Sequence, residues 1–129
     1  MTAMFERMQR RWIDGEPIGD LLAEDVVVEM PFAPAGRARR IEGRAAFVEF
    51  AAAGRAALPF SIEESRDVVV HRTADPDVII VEYELVARLH RDGRRASAPF
   101  IGVLTTRDGL VVHWREYQNP MAMAAAMGQ

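Results

Sequence analysis

The residue best suited to do chemistry in this 129-residue chain is a glutamate close to its C-terminal end. Glu116 lies in the run Val111–Asn119, which reads as a β-strand stopped by Pro120. Because side chains alternate along a strand, Trp114 and Glu116 face the same side. A carboxyl group beside an indole on a buried face is costly to ionise, so its pKa should rise towards neutrality, as a general acid or base requires. The alternative is a surface Glu116 paired with Arg107 of the neighbouring strand.

A second carboxylate could join the first. Glu29 comes directly before Met30 and Pro31, at the end of a strand-like run. If Glu29 and Glu116 both point inward, their repulsion holds one protonated and leaves the other ionised, which divides an acid from a base. The alternating apolar residues Val26, Val28 and Met30 leave open the other interpretation, in which Glu29 faces water.

A tyrosine in the middle of the chain is the third candidate. Tyr83 lies on the apolar, odd-numbered face of the run Val78–His90. On that parity it points into the core, where its hydroxyl group could donate a hydrogen bond to a ligand oxygen. Glu82 and Glu84 fall on the even-numbered face, which we expect to be an outer or dimer-facing surface.

The rest of the composition excludes several kinds of chemistry. There is no Cys, and all 16 basic residues are Arg, so thiol catalysis, disulfides and lysine Schiff bases are ruled out. The histidines His71, His90 and His113 fall on three different predicted strands, so we expect no metal site. We also expect no cofactor, because acid–base work is the chemistry for which this chain is equipped.

The charge and the N-terminal segment bear on partners and location. A net charge of -3 gives no reason to expect nucleic-acid binding. The first residues carry an early acidic side chain and no long apolar core, so neither a signal peptide nor a membrane span is predicted. We expect a cytoplasmic protein with no membrane partner.

The elements that must position these residues follow an α+β pattern. Helical spacing predicts helices over Met4–Ile13 and Gly43–Leu58, with a short one from Pro17 to Leu22 between them. One strand is predicted around Val26–Met30. Four more are predicted in the second half of the chain: Phe60–Arg72, Val78–His90, Arg95–Arg107 and Leu110–Asn119. Turn residues such as Asp108-Gly109 connect the last four into a long antiparallel meander.

Two parts of the chain resemble the nuclear transport factor 2-like superfamily. Leu21–Pro31 and the following Gly43–Phe47 are similar to its first strand and next helix, and Phe100–Pro120 is similar to its C-terminal half. The branch that this chain resembles most is the SnoaL-like, limonene epoxide hydrolase and phenazine-biosynthesis A/B group. The resemblance covers nearly the whole chain, as a single domain of residues 1–129.

The resemblance implies a cone-shaped barrel, in which a strongly bent, mainly antiparallel sheet wraps around N-terminal helices and encloses an apolar pocket. It also implies a homodimer. The predicted binding residues of the pocket, besides the candidate catalytic groups, are Met8, Trp12, Phe32, Phe47, Phe50, Phe100 and Trp114. Such a pocket suits a small hydrophobic ligand.

The resemblance also bears on individual residues. In the epoxide hydrolases the position of Glu116 holds a catalytic Asp, and in the phenazine-biosynthesis proteins it resembles a functional Glu. The chain departs from these enzymes elsewhere, because Val27 stands where the epoxide hydrolases have Tyr and Met30 stands where ketosteroid isomerases have their base. Neither of those two reactions is therefore expected in its known form.

The main functional hypothesis is a cofactor-independent acid–base enzyme of cyclase, isomerase or dehydratase type. Its substrate would be a small hydrophobic, oxygenated molecule, as in bacterial secondary metabolism, with Glu116, Glu29 and Tyr83 as catalytic residues. One alternative is a non-catalytic ligand-binding or assembly domain of the same fold. Another is an epoxide hydrolase with an altered triad.

Two segments keep open assignments. Arg37, Arg39, Arg40 and Arg44 either contact an anionic ligand group at the mouth of the cone or form a solvated loop. The tail from Met121 to Gln129, rich in Ala and Met, is a short helix, a lid over the pocket or a frayed end.

Overall fold

The computed structural model describes residues 2–126 and Gly128, and it has the predicted α+β architecture. Its helices are α1 (Thr2–Asp14), α2 (Arg44–Ala57) and α3 (Pro120–Ala126), and a single 3-10 turn covers Gly19–Leu21. Its strands are β1 (Leu22–Glu29), β2 (Arg40–Glu42), β3 (Phe60–Arg72), β4 (Val78–Leu89), β5 (Arg95–Arg107) and β6 (Leu110–Gln118). None of the helices in this described part has the length and apolar character needed to cross a bilayer.

The six strands form one sheet in the order β2-β1-β6-β5-β4-β3. All neighbours are antiparallel except β1 and β6, which run parallel. The edge strands β2 and β3 do not pair with each other, so the sheet is curled but unclosed. Register shifts in the β3–β4 and β5–β6 pairs are the irregularities at which such a sheet bends.

Helix α1 lies against the inner face of the curled sheet. Its apolar side chains recur every three or four residues, and Phe5 and Met8 are almost completely buried. The helix ends at a Schellman-type cap, in which Gly15 has a positive φ of 71° and the N–H of Glu16 bonds to the carbonyl of Arg11 at 2.8 Å. The confirmed cone therefore has α1 as its inner wall.

The strand boundaries of the meander agree with the sequence prediction to within one residue. The turn Asp108-Gly109 has positive φ at both residues, 54° and 77°, as a two-residue hairpin requires. The N-terminal half differs more. The predicted helix from Pro17 to Leu22 is only a 3-10 turn, because Leu22 already pairs with Val111 of β6.

Strand β2 is absent from the sequence prediction. Its three residues carry two charges and form too short a run to predict a strand, so only their antiparallel pairing with Val27, Val28 and Glu29 of β1 defines it as one.

Candidate active site

Glu116 and Trp114 lie on the same inner face of β6 and border a pocket on the concave side of the sheet. Across the sheet Glu116 stands opposite Gly102, and Trp114 stands opposite Leu104, which is buried. A Cβ at Gly102 would contact the side chains of Val81, Trp114 and Tyr83 at 3.6–3.8 Å, so the glycine leaves space between these side chains. The alternation expected from the sequence therefore places the carboxylate and the indole together on the concave side.

The pocket has a volume of about 350 Å³ and is mostly apolar. Its size is at the small end of the range for small-molecule sites, ~300–1,000 Å³. Leu58, Phe60, Leu85, Leu89 and Met123 are among the apolar residues around it.

Two side chains hold the carboxyl group of Glu116. The amide of Gln118 donates to Oε1 at 2.9 Å, and the hydroxyl group of Tyr83 points at Oε2 from 3.4 Å. Burial of the carboxyl group raises the pKa of Glu116, and these two donors oppose that rise because they favour the charged form. The side chain as a whole is only half-buried, since the pocket is open on one side. The result is a carboxyl group that is both fixed in place and reluctant to ionise.

Tyr83 is 3% exposed and belongs to an aromatic cluster. Its ring stacks on Trp12 at 5.9 Å and on Phe100 at 5.6 Å between centroids, and Trp12 also stacks on Trp114 at 5.7 Å. Burial first, and the nearby carboxyl group of Glu116 second, raise the pKa of Tyr83 well above its usual value. The phenol therefore stays protonated, and its hydroxyl group is directed at Glu116.

Glu29 does not reach Glu116. In the parallel pairing of β1 with β6, Val28 stands opposite Trp114 and Glu29 opposite Arg115, so Glu29 lies on the outer face. There the ring Nε2 of His113 donates to its carboxylate at 2.6 Å. The predicted carboxylate pair is thus corrected to an ion-pair cluster on the other side of the sheet.

The environment of Glu29 favours the charged form. The hydrogen bond from His113, and then the guanidinium groups of Arg115 and Arg40, lower the pKa of Glu29. Its nearest distances to those two groups are 3.8 Å and 3.6 Å. An ionised, paired carboxylate of this kind stabilises the strands that carry its partners.

The predicted binding residues fall into three groups. Trp12, Phe100 and Trp114 border the pocket, whereas Met8 and Phe47 are buried in the core behind it. Two predictions need correction. Phe50 is 42% exposed beside Phe47, and Phe32 is 57% exposed and packs edge-on against Tyr117 on the outer face. Apolar character alone did not show which side of the sheet the loop carrying Phe32 would cover.

Sequence reasoning missed Gln118 and left Arg37 open. Gln118 has the same parity on β6 as Trp114 and Glu116, so alternation was the signal that could have identified it. Arg37 borders the pocket from the loop between β1 and β2. His71 lies on β3 and His113 on β6, whereas His90 lies in the turn after β4, and the described residues contain no group of three His, Asp or Glu that could hold a metal ion.

Comparison with known proteins gives a consistent result. The family profile of the SnoaL-like domain matches residues 1–114. The uncharacterised protein YesE of Bacillus subtilis is 32% identical over an alignment of 130 positions, which covers 99% of this chain and 82% of that protein. An uncharacterised PhzA/B-like protein of Pseudomonas aeruginosa is 34% identical over 110 residues, covering 84% of this chain and 75% of that protein.

Solved structures show the same fold. A crystal structure from Bacillus subtilis, of a protein provisionally named an isomerase, superposes with a TM-score of 0.87 at 26% identity, covering 98% of this chain and 91% of the other. A ketosteroid isomerase from Mycobacterium (22% identity, TM-score 0.73, covering 94% of each chain) shares the fold alone. These matches confirm the resemblance to the nuclear transport factor 2-like fold and its SnoaL-like branch.

Proposed function

The chain belongs to the SnoaL-like domain family, and on that premise we propose that it catalyses a cofactor-independent acid–base reaction on a small hydrophobic, oxygenated molecule. The reaction is of cyclase, isomerase or dehydratase type, with Glu116 as the proton-transferring group. The observation that carries the proposal is one carboxyl group, with a raised pKa, on the wall of a mostly apolar pocket of about 350 Å³.

The geometry supports one proton-transfer cycle. In its ionised form Glu116 takes a proton from a carbon next to a ligand carbonyl group, and the C–H electron pair becomes the enolate. The protonated carboxyl group then returns the proton to another carbon or to an oxygen of the same molecule. Because the pocket is open on one side, the proton held by Glu116 can exchange with solvent before it is returned, and in D₂O a deuteron then takes its place.

Gln118 and Tyr83 act through Glu116 in this scheme. Their two donors hold the carboxyl oxygens and limit how far burial raises the pKa of Glu116. They are positioning residues. The role of Tyr83 as a donor to a ligand oxygen requires that its hydroxyl group turn from Glu116 towards the ligand. Glu29 has no part in this mechanism, because its side chain is on the opposite face of the sheet.

The names of related proteins support this class of reaction. They include a provisional isomerase at 26% identity and, among structures that share the fold alone, polyketide cyclases by provisional name and an epoxide hydrolase-like protein. An epoxide hydrolase with an altered triad receives less support, since the second carboxylate that could activate water, Glu29, lies outside the pocket. The setting we propose remains bacterial secondary metabolism in the cytoplasm, with the protein acting as a homodimer.

Deuterium exchange tests the proposal without knowledge of the natural substrate. A panel of small cyclic ketones and β-diketones is incubated with the protein in D₂O, and loss of the α-proton signal is followed by NMR. We expect the wild type to accelerate exchange of at least one compound. Glu116→Gln should reduce that acceleration by about 100-fold or more, the usual contribution of a general base.

The matched control is Glu6→Gln, which changes an exposed glutamate on α1 that does not border the pocket. It should leave exchange unchanged. Equal exchange rates in the wild type and in Glu116→Gln would contradict the proposed role of Glu116.

A non-catalytic binding protein is the second candidate function. It is favoured by the pocket containing a single carboxyl group, with no second carboxylate and no histidine among the described residues that border it. It predicts that panel compounds raise the melting temperature while the wild type exchanges no α-proton.

A further inference from the structure

Arg37 is the one cationic side chain among the residues that border the pocket. Apart from it, Glu116 is the one charged group in that set, and Glu116 already has Gln118 and Tyr83 as partners. The pocket therefore combines a large apolar surface with a single guanidinium group at its edge.

The guanidinium group of Arg37 has no acceptor within the described part of the chain. Its neighbours along the chain, one in the same loop and one at the start of β2, differ. Arg39 donates from Nε to the carbonyl of Ala33 at 3.1 Å, and Arg40 pairs with Glu42 at 2.8 Å. Of these three arginines, Arg37 alone borders the pocket and has no acceptor in the described part of the chain. The anion-binding alternative is therefore open to Arg37 and not to Arg39 or Arg40.

The backbone that carries Arg37 is held in place by the loop itself. The N–H of Met30 bonds to the carbonyl of Arg39 at 2.8 Å, which closes the base of the loop. Within it, Ala33 bonds to Met30 at 3.0 Å and Arg37 to Pro34 at 3.1 Å. A ligand that contacts Arg37 therefore orders one side chain rather than a whole loop, which reduces the entropic cost of binding.

We propose that Arg37 binds an anionic group of the ligand, so that the substrate class is a hydrophobic carboxylic acid whose apolar body fills the pocket. This inference rests on the pocket of the proposed function and adds the charge of its substrate. The planar guanidinium group matches a carboxylate with two parallel hydrogen bonds. The acid group would stay at the open side, where Arg37 lies, while the reacting carbon sits near Glu116.

The test compares the affinity of an acid with that of its neutral amide. Three pairs of increasing size are titrated calorimetrically at low salt: benzoate and benzamide, 2-naphthoate and 2-naphthamide, and anthracene-9-carboxylate and its amide. In the wild type at least one acid should bind about tenfold more tightly than its amide. Arg37→Gln should remove this preference by weakening acid binding and leaving amide binding unchanged.

Arg10→Gln is the matched control, because Arg10 is another exposed arginine that does not border the pocket. It should leave both affinities unchanged. The proposal is overturned if no acid binds more tightly than its amide, or if Arg37→Gln weakens acid and amide alike.

This result can be separated from the proposed catalytic role. Glu116→Gln should keep the preference for the acid even though it loses proton exchange. If the wild type prefers the acid but exchanges no α-proton, the Arg37 site is supported and the proposed acid–base function is contradicted. If the wild type exchanges an α-proton but does not prefer the acid, the acid–base function is supported and the Arg37 site is contradicted.

Discussion

At the scale of single residues, the molecule places two carboxylates of similar sequence context in opposite electrostatic environments. Burial raises the pKa of Glu116 on the concave face, whereas the hydrogen bond from His113 lowers the pKa of Glu29 on the outer face. The first is suited to gaining and losing a proton, because its charged form is disfavoured, and the second is suited to a permanent ion pair. The two carboxyl groups therefore have opposite pKa shifts because they lie on opposite faces of the sheet.

Gln118 limits how far burial raises the pKa of Glu116. Its amide donates to the charged form of the carboxyl group, so replacing it in Gln118→Leu should raise the pKa of Glu116 further. The carboxyl carbon of labelled Glu116, followed by NMR across a pH series, should titrate at a higher pH in the variant. The pH limb of any exchange activity should move in the same direction.

The raised pKa of Glu116 also makes the stability of the fold depend on pH. The folded state favours protonated Glu116, so this residue costs stability as the pH rises from its ordinary value of 4.5 through its raised pKa. Glu116→Gln should therefore melt at a higher temperature than the wild type above that range, and the difference should shrink towards acid pH. A melting difference that does not depend on pH would contradict the raised pKa.

At the scale of elements, the short C-terminal helix α3 closes part of the pocket. Met123 packs against the core, and both Met123 and Ala126 border the pocket. Helix α3 has only seven residues, so its stability depends on the hydrogen bonds made at its two ends. Asn119 accepts a hydrogen bond at Oδ1 from the N–H of Ala122 at 3.0 Å, and Arg94 donates to the carbonyl of Ala126 at 3.2 Å. The tail is thus a helix that covers the pocket, and Met127 lies outside the described residues.

Removing the cap should loosen this cover. Asn119→Ala deletes the acceptor at the start of α3, which costs about 0.5–2 kcal/mol of local helix stability. Amide hydrogen exchange in residues 122–126 should become faster, and pocket ligands should dissociate faster, while the melting temperature changes little. Unchanged protection of these amides would show that packing of Met123 alone holds the helix.

At the scale of the whole molecule, the outer face of the sheet carries an exposed apolar row. The apolar members of this row are Val69 of β3, Ile101 of β5 and Tyr117 of β6. Glu82 of β4 interrupts it between Val69 and Ile101, and Phe32 packs on Tyr117. Val69 and Ile101 are 47% and 43% exposed. A face of this kind suits the proposed homodimer, because a second copy would bury it.

The dimer prediction can be checked by light scattering after size exclusion. Ile101→Arg places a charge in the middle of the row and should convert a dimer of the wild type into a monomer. Ile13→Arg is the control, since Ile13 is exposed to a similar extent, 40%, but lies on α1. A wild type that elutes as a monomer, or a variant that stays dimeric, would contradict this interface.

Much of this protein follows from local pattern. The strands of the meander, the helix α1 and the shared face of Trp114 and Glu116 come from periodicities that each segment carries by itself. The burial of Tyr83 likewise follows the apolar parity of β4.

Other features depend on residues that are distant along the chain. Strand β2 exists because Ile41 pairs with Val28, and the face of Glu29 was decided by the parallel register of β1 against β6. Alternation showed that Glu29 and Val28 point in opposite directions but not which of them shares a face with Trp114.

By itself, then, the sequence determined the α+β pattern and the candidate acid, because short-range alternation encodes both, and the fold family followed from the resemblance of Leu21–Pro31 and Phe100–Pro120 to a known superfamily. Only the tertiary structure decided which groups surround that acid: Gln118 and Tyr83 at its oxygens, Arg37 at the open side, and Glu29 and Phe32 excluded. The physical reason is that strand register and loop placement result from packing between segments up to about a hundred residues apart, and no local pattern carries that information.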